Sequence, residues 1–139
     1  MDKASQLDSD EGLDAALLLH GMMCVAGADG TFADAEIRIV EAYCSLLPEL
    51  RQHAFDELMA RAQAVVSRYG SIEESLSALD QLSSPALRKK LFVVAADVAL
   101  SGGKLGPCED NMLKALQRTL GVDDALRNKI LDVLALKHA

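Results

Sequence analysis

Apolar residues in this chain of 139 residues return every three or four positions, and no stretch alternates apolar with polar residues long enough to make a strand. Ile37, Val40, Cys44 and Leu47 form one such stripe. Leu50, Ala54, Leu58, Ala62, Val65 and Tyr69 form a second, and Leu126, Ile130, Val133 and Leu134 a third. Aromatics make up only 4% and Trp is absent, so the core must come from Leu, Ala, Val, Ile and Met, a palette that suits packed helices.

Helix-starting and helix-stopping residues divide that pattern. A first helix is expected from Asp10 or Gly12 to near Ala28. It is apolar almost all round, which places it centrally, with Gly21 and Gly27 offering close approach to a neighbour. A second runs from Glu36 to Leu47, where Pro48 breaks the pattern. A long helix follows from Glu49 to Arg68, closed by Gly70. Ser71 and Glu74 form a capping box for a short helix reaching Leu82. Ser84-Pro85 opens a helix to Leu100, Pro107 another to Leu120 stopped by Gly121, and Asp123 caps a last one to Lys137. The expectation is an all-α bundle of about seven helices. Residues 11–139 read as a single helical domain, with residues 1–10 as a flexible N-terminus.

The net charge is −7, and Arg88-Lys89-Lys90 is the one basic cluster that stands out, so nucleic acid is not an expected partner. An acidic surface suits cations or basic proteins. Cys24, Cys44 and Cys108 are odd in number and have no CxxC spacing, which fits free thiols in a reducing cytoplasm rather than a disulfide frame or zinc site. The first residues, MDKASQLDSDEG, lack the apolar stretch of a signal peptide, and the run Leu17–Ala28 is too short to span a bilayer.

The most specific pattern is a repeat. DGTFADAE, residues 29–36, aligns with GGKLGPCE, residues 102–109: Gly30 matches Gly103, Phe32 matches Leu105 and Glu36 matches Glu109. Each copy follows an apolar helix and precedes an amphipathic one, so two pseudo-symmetric helix-loop-helix halves are expected. Two readings follow. In the first, the glycines supply a positive φ, Phe32 and Leu105 tuck into the core, and Ala33 and Gly106 are N-caps. Glu36 and Glu109 then bond back to the cap amide from the third helical position. In the second, Asp29, Asp34 and Glu36 hold a divalent cation, with Asp97 and Glu109 as weaker contributors from the other half. An EF-hand is excluded, because its two earlier ligand positions fall at Val25 and Gly27. Calcium, magnesium or zinc would therefore be held weakly.

The stretches VAGADGTFADAEIRIVEAY and ADVALSGGKLGPCEDNMLKALQRTLGV carry the motif AxADGxxxxxE and a second, weaker copy. This pair resembles the TerB-like family of bacterial tellurite-resistance proteins, over roughly Leu13 to His138. The resemblance implies an all-helical fold with related halves, a divalent-cation site in the acidic loop and a role in stress or metal resistance. Related domains in membrane-anchored DnaJ-type co-chaperones imply that the fold can serve as an interaction module. Two positions depart from the pattern: Gly102 replaces the second aspartate, and Ala33 stands where a capping Ser, Thr or Asp is usual.

No enzyme signature accompanies the motif. SGGKLG lacks phosphate-loop spacing, the methionines form no MxxM ladder, and no Ser or Cys has a nucleophile context. His20 reads as a satisfied core histidine, His53 as part of a solvated face and His138 as part of a frayed end. Cys24 and Cys44 fit core faces, while Cys108 sits at a helix start. The expected function is a non-enzymatic acidic module that binds a protein partner, as a monomer or homodimer. The alternative is a metal-dependent or thiol-based enzyme of stress or tellurite detoxification.

Overall fold

A computed structural model describes residues 10–139; the flexible segment expected before them lies outside the described residues. Among the described residues there are eight α-helices and one 3₁₀ segment, and no strand. The helices are α1 (Asp10–Ala26), α2 (Asp34–Leu46), α3 (Pro48–Arg51), α4 (Phe55–Val66), α5 (Ile72–Ser75), α6 (Pro85–Leu100), α7 (Pro107–Leu120) and α8 (Asp124–Lys137), with 3₁₀ residues Leu76–Gln81 after α5. Among the described residues, no helix is long and apolar enough to cross a membrane.

The all-apolar helices take the centre, as their composition requires. Helix α1 packs against α2, α3, α4, α6 and α7, and α6 against α1, α2, α7 and α8. Leu17, Leu18, Leu19, Met22 and Val25 of α1 are fully buried, each contributing roughly 1.5–3 kcal/mol of burial energy. The two halves cross reciprocally: α2 of the first lies on α6 of the second, and α7 lies on α1. Gly21 allows the central pair to approach, since a Cβ there would stand 2.7 Å from Leu91 Cδ1 of α6.

The expected caps form. Ser71 Oγ accepts from Glu74 N at 3.1 Å, Ser84 Oγ from Leu87 N at 3.1 Å and Asp123 Oδ1 from Leu126 N at 2.8 Å. Gly121 stops α7 with φ +71°. Buried polar contacts join elements distant in sequence. Asp14 accepts from Ser83 N at 3.0 Å and Ser83 Oγ at 2.5 Å, holding α1 to the turn before α6. His20 Nε2 lies 3.0 Å from Ser75 Oγ, joining α1 to α5. Burial pushes His20 below its ordinary value, so it is neutral at pH 7.

Five local expectations are corrected. The long helix over Glu49–Arg68 is two helices, α3 and α4, separated by Gln52–Ala54. The break leaves both Leu50 and Leu58 fully buried, with α3 and α4 each packed on α1, so tertiary burial overrides continuous helix propensity. Gly70 does not take a left-handed cap; its amide donates to Glu74 Oε2 at 3.1 Å. Val133 is exposed, because only Leu134 of α8 is fully inward. His53 is half-buried with Nε2 buried and unpartnered. His138 is not frayed: it bonds Asp97.

Candidate functional site

The two matching loops are built by the same backbone device. After α1, Gly30 N bonds Gly27 O at 3.0 Å and Gly30 takes φ +88°; after α6, Gly103 N bonds Leu100 O at 2.9 Å and Gly103 takes φ +93°. A Cβ at either glycine would meet nothing within 4 Å, so glycine is required by dihedral angle and not by space. The loops then rise into helices whose N-caps are Ala33 and Gly106, both extended and neither offering a side-chain acceptor. This register puts Glu36 and Glu109 at the third helical position, as the sequence alignment requires.

The loops differ at their first acidic position. Asp29 Oδ1 accepts from Thr31 N and Thr31 Oγ1, both at 3.0 Å, and these bonds hold its carboxyl below the ordinary value. Gly102 stands at the matching place and can make no such turn. Phe32 corrects the staple expectation: it is 53% exposed, with its ring laid over Gly27, where a Cβ would come within 2.7 Å of Cζ. Leu105 is half-buried against the core.

Glu36 is the unusual group. It is only 5% exposed, and its Oε2 is buried without a hydrogen-bond partner. The return bond to the Ala33 amide that capping requires is not made through that oxygen. Burial, then the charges of Glu109 and Asp29, push the Glu36 carboxyl up to about 7. Glu109 is raised by burial and then by Asp29. The fold thus brings Asp29, Glu36 and Glu109 close enough to repel one another, joining the two halves of the repeat at one place.

Two candidate ligands stand apart from that trio. Asp34 is exposed at the first position of α2. Asp97 is fully buried, and its oxygens are engaged: Tyr43 OH and Lys137 Nζ (2.6 Å) donate to Oδ2, and His138 Nε2 lies 2.5 Å from Oδ1. Burial alone would raise Asp97, but the bonds from Lys137, Tyr43 and His138 outweigh it and hold the carboxyl below its usual range. This cluster ties α8 to α6 and α2. Among the described residues, no group of three His, Cys, Asp or Glu side chains is arranged to hold a metal ion by itself.

The thiols offer little chemistry. Burial raises Cys24 to about 12, and burial with the Glu41 charge raises Cys44 to about 11. Cys108 is exposed.

Compared with known proteins, residues 15–132 match the family described as tellurite resistance protein TerB. No curated protein and no solved structure matches the chain.

Proposed function

Because the chain belongs to the tellurite resistance protein TerB family, we propose that it acts as a non-enzymatic, acidic interaction module whose two loops together take up a divalent cation. The observation that carries this reading is the buried, unpartnered Oε2 of Glu36 beside the charges of Glu109 and Asp29. A buried carboxylate without donors is costly, and a cation relieves both its desolvation and the repulsion around it. Glu36 would be the principal ligand, with Glu109 and Asp29 assisting from either loop. Backbone carbonyls and water would complete the shell, so binding is weak and favours calcium or magnesium, which prefer oxygen, over zinc. Bound cation supplies positive charge that locks the first half of the fold to the second.

A protein partner fits the same reading. Two adjoining clefts of about 640 and 600 Å³ share Glu73, Leu76, Arg118 and Thr119 and form a trench beside α7. The second cleft reaches Ala28 and Cys108, next to the loops, so a cation there could influence what docks. Such a module would work in the cytoplasm as part of a response to tellurite or related stress.

The experiment is calorimetric titration of chelator-treated protein with calcium, magnesium and zinc, repeated on Glu36→Gln and Asp34→Ala. Heat and a melting-point rise at millimolar calcium or magnesium, lost in Glu36→Gln and kept in Asp34→Ala, support the site. Absence of both heat and shift in the parent overturns it.

A further inference from the structure

The outward face of α8 is apolar where a surface helix is usually polar. Leu136 is 78% exposed and Val133 64%. Helix α8 packs chiefly on α6, and Leu134 is its one fully inward residue, so the opposite face has no neighbour in the single chain. Lys129 and Asp132 lie on that outward face, exposed and in no ion pair among the described residues. Leu136 follows Lys129 by seven residues and Asp132 by four, which at helical spacing places it between them. The stripe has an apolar centre, a cation on one edge and a carboxylate on the other.

The trench beside α7 has the matching arrangement. Leu76, Met112, Ala115 and Thr119 supply a largely apolar floor. Glu73, Glu74 and Asp80 stand on the side of α5 and the 3₁₀ segment, and Lys114 and Arg118 on the side of α7. Lys114 pairs with Asp110 of its own helix. Arg118 shares a cleft with three carboxylates yet forms no ion pair with any of them among the described residues. Charges of opposite sign therefore face one cleft without closing it, and a segment between them can meet both. The α7 residues that line the trench, from Cys108 to Thr119, recur every three or four positions and span about 16 Å, the length of three turns of a partner helix.

We propose that the trench receives α8 of a second copy of this chain. Leu136 and Val133 lie on the floor, Lys129 meets Glu73 and Asp80, and Asp132 meets Arg118. The charges fix the direction in which α8 runs, because reversing it would set like charges together. The inference rests on the trench being a docking surface, as proposed above, and not on the loop cation. Two copies each carry −7 and repel at long range. One helix in a trench also covers less than the roughly 1,200 Å² of a stable complex. Association is therefore weak, with Kd on the order of 100 µM.

The trench and the outer face of α8 are different surfaces, so the contact is heterologous and each side can be disabled separately. The test is sedimentation equilibrium of the full chain from about 10 µM to about 1 mM, in chelator and about 0.15 M salt. The average mass should rise above the 14.9 kDa monomer with concentration. Leu136→Asp and Arg118→Glu should each weaken association by about tenfold or more. Both positions are exposed, and an unfolding midpoint close to the parent's checks that each variant keeps the fold. A mixture of the two variants should associate more tightly than either alone, because α8 of the Arg118→Glu copy still fits the trench of the Leu136→Asp copy. A parent that stays monomeric up to 1 mM overturns the second copy as occupant. Association lost in Leu136→Asp but kept in Arg118→Glu, or a mixture no tighter than its components, overturns the trench as the place where α8 docks.

Discussion

Glu36→Gln gives a direct measure of what the buried carboxylate costs. The Glu36 pKa moves from 4.5 to about 7 on folding. The folded state therefore binds more protons than the unfolded chain between those values, and stability falls as pH rises through that window. Below pH 4.5 the group is protonated in both states and contributes nothing. Above about pH 7 the full penalty is present. At 1.36 kcal/mol per unit the ceiling is roughly 3 kcal/mol. An unpartnered Gln amide gives back roughly 1 kcal/mol, leaving the variant about 2 kcal/mol more stable than the parent at pH 8. At pH 4.5 the ordering should disappear or reverse slightly. Urea unfolding at pH 4.5, 6 and 8 in chelator, comparing midpoints at constant m, reads this out. A difference between variant and parent that stays constant across pH would refute the reasoning, because an uncharged packing effect has no such slope. Adding calcium at pH 8 should raise the parent toward the variant.

Asp97→Asn should destabilise by roughly 2 kcal/mol, since it removes the buried charge that strengthens the bonds from Lys137 and His138 at 2.6 and 2.5 Å, while half-exposed Lys137 can return to water. Thermal unfolding should show a drop of about 7 °C, and an unchanged Tm would mean that α8 is held by apolar contacts alone. Gly21→Ala should cost a net 1 kcal/mol or so. The Cβ would stand 2.7 Å from fully buried Leu91, and that overpacking exceeds the helix-propensity gain of about 1 kcal/mol. A stabilised variant, measured by denaturant midpoint, would show that Leu91 has room to move.

The parts of the fold written in local sequence were the legible ones. Ser84-Pro85, Gly121 and Asp123 mark helix ends because each satisfies or stops its own neighbouring backbone, and each does so in the structure. The Gly30/Gly103 alignment gave matching turns for the same reason. What sequence spacing could not carry was contact between distant segments. Glu36 was legible as a third helical residue, but its meeting with Glu109 depends on how the halves cross. Asp97 was grouped with the loops by proximity in sequence, whereas its partners Tyr43, Lys137 and His138 lie 40 or more residues away. The division at Gln52–Ala54 had no Gly or Pro to announce it and arises from how α3 and α4 each pack on α1. Phe32 was assigned to the core on hydrophobicity, yet it covers a loop glycine from outside.

The three thiols amount to a built-in clock for opening of the fold. Cys108 lies exposed at the start of α7, while Cys24 and Cys44 are enclosed on α1 and α2 and held protonated far above neutral pH. A thiol-specific reagent at pH 8 therefore labels Cys108 at once and reaches the others only through opening events. Because Cys24 sits on the central helix and Cys44 on a peripheral one, their separate labelling rates distinguish detachment of α2 from loss of the whole core. Cation binding can then be read as a slowing of one rate, the other, or both, without introducing any probe into the chain.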